Sequence, residues 1–280
     1  MIKPFNFHTH SAYDDGKETL EDYVKAAVDK GFAAIGFSGH SPLPFDNEWS
    51  IQKSDYADYL AEGRRLKEKY KDHIPVYLGL EIDYVPGHSD RFSDFVEGAG
   101  LDYCIGSVHL VMKPGSKDPR DIWFIDGPRE GYLEGIDTIY GGDARAATEA
   151  YYAQLREMVI TQRPDIIGHL DKVAMHSRGE VIDTNARWYR DAVNDLLDAI
   201  ASAGTIVEVN TRGTYTGKSE YYYPEEAILA QCLQKEIPVM VNSDAHHPSQ
   251  LDKGFNEAVH LLQSMGFQRM RTPFFDVSLR

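Results

Sequence analysis

Residues 5–10 read Phe-Asn-Phe-His-Thr-His: a short apolar run that ends in two histidines one residue apart. In an extended chain residues i and i+2 point to the same side, so His8 and His10 can grip one ion. The same unit recurs along the chain. Runs at 34–38, 76–80, 103–108, 165–168, 206–209 and 239–242 are short and rich in Ile, Val or aromatics, as buried parallel strands are. Amphipathic stretches at 19–30, 55–70, 145–161, 185–203, 224–235 and 256–264 separate them, with Gly31 as a helix stop and Pro224 as a first helical residue. Seven strands alternating with helices predict an α/β fold whose parallel sheet closes as a TIM-like barrel; a doubly wound open sheet is the alternative. No linker or low-complexity tract interrupts residues 1–280, which predicts one domain.

Polar residues cluster where the runs end. His40 follows the second run, Glu81 the third, His109 the fourth and His169 the fifth. Asp244 and His246 follow the seventh, and Asp15 lies in the loop after His8 and His10. In a barrel these strand ends share one mouth, so nine nitrogen or oxygen donors converge. A single strand-end histidine is more often hydrogen-bonded than ligating; the joint pattern is what carries weight. So many polar groups at one mouth are costly without ions. Imidazole with carboxylate suits Zn, Fe or Mn, and the number of donors fits two or three divalent ions. Asp14 beside Asp15 and His247 beside His246 are adjacent alternatives. His73, His88, His176 and His260 have no place in the pattern, although His88, just past a catalytic strand, could reach a substrate.

The connection between the fourth and fifth runs is long. Its part at about 112–144 carries Pro114, Pro119 and Pro128 with Trp123, Phe124, Tyr132 and Tyr140. A long ordered loop after a barrel strand lies on the catalytic face and is expected to act as a lid.

The ordered set His8-Thr9-His10, Asp15-Gly16, Gly39-His40, Gly79-Leu80-Glu81, Gly106-Ser107-Val108-His109, Gly168-His169-Leu170-Asp171 and Ser243-Asp244-Ala245-His246 resembles the PHP (polymerase and histidinol phosphatase) family of metal-dependent phosphoesterases. The resemblance spans nearly the whole chain. It implies a distorted (β/α)7 barrel with a trinuclear site. One ion would take His8, His10, Glu81 and Asp244; a second would share Glu81 and take His109 and His169; a third would take Asp15, His40 and His246. The family spacing favours Asp15 over Asp14. Within the family, the chain length, the Leu80-Glu81-Ile82-Asp83-Tyr84 stretch and the long fourth connection resemble the monofunctional histidinol-phosphate phosphatases, which implies hydrolysis of L-histidinol phosphate to L-histidinol and phosphate.

In that chemistry two ions sharing Glu81 lower the pKa of a shared water, and the resulting hydroxide attacks phosphorus. Glu81, Asp244 and His246 are the candidate catalytic residues at the ions. Arg212, after the sixth run, is the first candidate for a phosphate clamp, with Lys113 and Arg145 behind it. Asp126, Glu130, Trp123 or Tyr132 on the lid could receive the cationic end of such a substrate. The competing readings are another small phosphate ester or nucleotide as substrate, an amidohydrolase-type C–N hydrolase, and a metal-binding module without activity. The fourth run ends without the lysine that amidohydrolases commonly use as a bridge, and every donor position is filled.

Composition narrows the partners. A net charge of −15 and the lack of a basic cluster exclude an extended nucleic acid. A small phosphorylated substrate remains open, because divalent ions at Asp15, Glu81 and Asp244 would make the mouth locally positive. Two cysteines, no run of about 18 apolar residues and no leader-like N-terminus predict a cytoplasmic protein with neither disulfide nor membrane span.

Overall fold

The computed structural model describes residues 2–176 and 178–280. In chain order the elements are β1 (Phe5–Asn6), α1 (Leu20–Asp29), β2 (Ala34–Phe37), α2 (Tyr56–Tyr70), β3 (Val76–Asp83), α3 (Ser93–Val96), β4 (Tyr103–Ser107), β5 (Leu110–Met112), β6 (Ile122–Phe124), α4 (Arg129–Tyr140), α5 (Ala144–Gln162), β7 (Ile166–Ile167), α6 (Arg187–Ala203), β8 (Ile206–Asn210), α7 (Arg212–Tyr215), α8 (Glu226–Gln234), β9 (Val239–Asn242), α9 (Phe255–Met265), β10 (Arg269–Arg271) and β11 (Asp276–Ser278). All seven predicted strands are present, in one parallel sheet of order β1-β2-β3-β4-β7-β8-β9. Their residues are almost all buried, which is why they read as unbroken apolar runs rather than alternating ones. The sheet nearly closes: Thr9 bridges Ala245 in parallel. There His10 N donates to Ala245 O at 2.9 Å, and Ala245 N to His8 O at 3.0 Å.

Local signals set the helix ends. Thr19 and Asp22 form a capping box at the start of α1, and Gly31 follows its end at φ 69°, the left-handed backbone that glycine adopts freely. Pro224 departs from the expectation. The helix begins two residues later at Glu226, where Glu225 N donates to the Asp171 carboxylate at 3.0 Å. The long connection is also more regular than a loop. It holds the antiparallel pair β5–β6 and helix α4, closed by Gly141 in the left-handed conformation. Trp123 Nε1 donates to Tyr132 O at 2.9 Å inside it, and the Tyr132 hydroxyl ties it to Val173 O at 2.7 Å.

Inside the barrel, Tyr103 fills the layer beneath the mouth. A Cβ at Gly36 or Gly79 would lie 2.4 or 2.6 Å from the Tyr103 side chain, so these glycines make its room. Its hydroxyl lies 2.6 Å from Phe7 O and 2.8 Å from Phe37 O. The β10–β11 hairpin, which has no counterpart in the predicted elements, supplies Phe274, stacked on Tyr77 at 3.7 Å and edge-on to Tyr103. No helix among the described residues is long and apolar enough to cross a membrane.

Candidate metal and active site

The nine donors meet at the C-terminal ends of the strands. Glu81 is central: Oε2 lies 3.1 Å from His8 Nε2, 3.5 Å from His10 Nε2 and 3.2 Å from His40 Nδ1. Its Oε1 lies 3.0 Å from His169 Nε2 and 3.9 Å from His109 Nε2, and accepts from Ser107 Oγ at 2.6 Å. Asp244 Oδ1 is 3.4 Å from both His10 Nε2 and His246 Nδ1. Asp15 Oδ1 faces His246 Nε2 at 3.1 Å and His40 Nε2 at 4.0 Å. Ligand atoms of His10, Asp15, His40 and His246 all lie within 4.8 Å of one another; so do those of His8, Glu81 and His169, of His8, His10 and Asp244, and of His40, Glu81 and His109.

The donors suit cations. Ligands about 2.1 Å from a tetrahedral ion lie about 3.4 Å apart, close to these separations. Five of the buried atoms, His8 Nε2, His10 Nε2, His40 Nδ1, Glu81 Oε2 and Asp244 Oδ1, have no hydrogen-bond partner among the described residues. They approach one another without hydrogen-bond geometry and face a shared space. Such atoms cost about 1–3 kcal/mol each unless something binds them, and the nitrogen and oxygen set fits Zn, Fe or Mn.

The rings are oriented from behind. His8 Nδ1 donates to Glu208 Oε1 at 2.6 Å, His10 Nδ1 to Asp14 Oδ2 at 2.6 Å, and His109 Nδ1 to Asp83 Oδ1 at 2.8 Å. Carboxylates bonded to the far nitrogen fix ring orientation and raise basicity. Glu208 also accepts from Asn242, Asn210 and the His169 backbone. Asp14 is therefore turned behind His10, whereas Asp15 stands among the donors. His247 instead caps the short turn at Pro248–Gln250. Burial alone would push the Glu81 and Asp244 carboxyls up, yet the imidazoles around them hold both well below the ordinary carboxylate range. The backbone is constrained too: His169 and Asp244 have φ of 21° and 50°, unusual for residues other than glycine.

A cleft of about 300 Å³ opens over the donors, lined also by Trp49, Phe124, Asp126, Lys172, Arg212 and Lys218. Arg212 is held by a bond from Nη1 to Asp244 O at 3.0 Å. Lys113 and Arg145 do not line it; Arg145 pairs with Glu149 at 2.9 Å and lies over the Trp188 ring. Of the lid candidates only Asp126 reaches the cleft, because Trp123 and Tyr132 are packed within the lid and Glu130 is exposed. His88 lines a separate cavity with Pro42 and Pro44 and bonds Lys117 O. His176 bonds Gly127 O, and His73 packs on Tyr70.

Sequence reasoning missed that Lys172, Lys218 and Trp49, on irregular segments without periodicity, and Phe124, at the end of β6, line the cleft, and it missed the backing roles of Asp14, Asp83 and Glu208. Glu208 carried a signal: a single acid in the run Ile206-Val207-Glu208-Val209 has to find a partner inside the barrel.

Known proteins resemble this chain over most of its length. A Bacillus subtilis histidinol-phosphatase is 29% identical over 263 residues, covering 86% of this chain and 92% of its own. A Lactococcus lactis histidinol-phosphatase is 26% identical over 275 residues, 97% of this chain and 94% of its own. The crystal structure of histidinol phosphate phosphatase from Lactococcus lactis, complexed with Zn, L-histidinol and phosphate, superposes with a TM-score of 0.72 at 21% identity, over 99% of this chain and 100% of that one. The PHP domain model matches residues 6–212, which include seven of the nine donors. The chain belongs to the PHP domain family.

Proposed function

We propose that the chain is a metal-dependent phosphomonoesterase that hydrolyses L-histidinol phosphate to L-histidinol and phosphate. The observation that carries this is the set of unpartnered buried donor atoms at the floor of a cleft walled by Arg212, Lys172 and Lys218. The names of relatives aligned over most of their length support the choice of substrate. His8, His10, Glu81 and Asp244 would hold one ion, Glu81 with His109 and His169 a second, and Asp15, His40 and His246 a third; Zn, Fe and Mn all suit this set.

Bound there, two or three divalent ions would lower the pKa of a water and offset charge on the phosphoryl oxygens. Arg212, fixed on the Asp244 carbonyl, clamps the phosphoryl group. Glu81, Asp244 and His246, all members of the donor array, would keep it in register and so position the attacking water. The segment at 112–144 closes the cleft as a lid and brings Asp126 into it. A cytoplasmic setting fits the free, buried Cys104 and Cys232.

Metal analysis of the purified protein, followed by assay on L-histidinol phosphate, glycerol 2-phosphate, a nucleotide, a phosphodiester and an N-acyl amine, tests the proposal. At least two transition ions per chain and the highest kcat/KM on L-histidinol phosphate are expected. Turnover of the amide alone would overturn the phosphatase reading, and preference for the nucleotide would replace the substrate.

A further inference from the structure

One acid in the cleft belongs to none of the donor groups. Asp126 Oδ2 accepts from Lys172 Nζ at 2.8 Å, while Oδ1 is buried without a hydrogen-bond partner among the described residues. Lys172 is itself buried and lies 3.4 Å from His109 Nε2, so the ion pair is pinned at the edge of the donor array. Beside it stand two near-parallel rings. Trp49 and Phe124 have centroids 6.2 Å apart and planes 12° apart, and Trp49 sets its edge against His40 at 4.8 Å. Phe124 remains 39% exposed, unusual for a ring of that size, and it lines the cleft. A free carboxylate oxygen next to flat apolar faces attracts a group that is both planar and cationic, and repels phosphate.

We infer that Asp126 and the Trp49–Phe124 wall form the subsite that reads the organic end of the substrate, selecting phosphate esters whose alcohol carries a cationic, planar group. This rests on the phosphatase reading above and extends it to specificity. The cleft is thereby divided: Arg212 and the donor array take the phosphate, and Asp126 with the aromatic wall takes the other end. Lys172 is a positioning residue, occupying one oxygen of Asp126 so that the other is presented to the ligand.

The test uses Asp126→Asn, Asp126→Glu and Trp49→Ala in the metal-loaded protein. The readout is the ratio of kcat/KM on L-histidinol phosphate to that on glycerol 2-phosphate, whose alcohol is neutral and not planar. Loss of a charge-assisted contact lowers this ratio about tenfold or more in Asp126→Asn, with the change mainly in KM, and Asp126→Glu restores part of it. Calorimetry gives a second reading: affinity for L-histidinol falls about tenfold in Asp126→Asn and Trp49→Ala, while affinity for inorganic phosphate changes less. An unchanged ratio together with unchanged L-histidinol affinity overturns the inference, as does an equal loss on both esters. If the wild type ignores L-histidinol phosphate but cleaves other esters, the substrate proposal fails by itself. The subsite is then judged on phosphoethanolamine against glycerol 2-phosphate, and an unchanged ratio in Asp126→Asn overturns it too.

Discussion

At the mouth of the barrel, His8, His10, Glu81 and Asp244 bring buried polar atoms face to face without hydrogen bonds; one layer below, Tyr103 lies in space cleared by Gly36 and Gly79 with its hydroxyl on two backbone carbonyls. Both layers are buried and formed by strands of the same sheet, yet they solve opposite problems. The lower layer removes apolar surface from water and leaves little polar capacity unmet, which is how a core gains stability. The upper layer keeps unmet capacity in place, and its carboxylate partners behind the rings hold that arrangement rigid. Activity and stability should therefore separate between two layers only one turn of side chains apart.

The largest effect should come from Glu81→Gln. It removes the charge at the centre of the donor array, and we expect kcat/KM to fall on the order of 10³-fold or more, with fewer bound ions by metal analysis and a retained fold by circular dichroism. Tyr103→Ala should break the other layer. A large ring lost from a closed core costs about 3–5 kcal/mol, read as a lowered denaturation midpoint, while the protein that remains folded still binds metal. Glu208→Gln probes the join between the layers: it weakens the acceptor behind His8, and metal affinity or activity should drop about 10–100-fold with a smaller change in stability. Arg212→Ala, at the rim, should lower kcat/KM for phosphate esters more than tenfold, about 1.4 kcal/mol, without altering metal content. Arg145→Ala, which pairs only at the surface, serves as its control.

Much of the upper layer was legible in the sequence because parallel strands leave a one-dimensional trace. Each buried run is apolar, and the first polar residue after it lies at the mouth, so His40, Glu81, His109 and His169 could be placed by counting. The cleft walls could not. Trp49, Phe124 and Lys172 reach the site through turns and a hairpin whose course depends on tertiary contacts, and Lys113 and Arg145, read as clamp candidates beside the lid, do not line the cleft. The capacity of Asp14, Asp83 and Glu208 to back a ring was hidden for another reason: a neighbouring acid reads the same whether it faces a ligand or the imidazole behind it. Pro224 shows the limit of local rules, since a residue suited to a helix start was claimed by a turn instead.

The Thr9–Ala245 bridge, described above as the place where the sheet comes nearest to closing, has a consequence for the order of assembly. The residues flanking that bridge are His8 and His10 on one side and Asp244 and His246 on the other, so the seam of the barrel and the donor array are one structure. In the order of synthesis, His8 and His10 precede Asp244 and His246 by more than 230 residues and stay without these counterparts until β9 has been made. Assembly of the donor array is thus coupled to synthesis of β9, and a product stalled before it lacks both that strand and the Asp244 carboxylate that faces His8 and His10 across the seam.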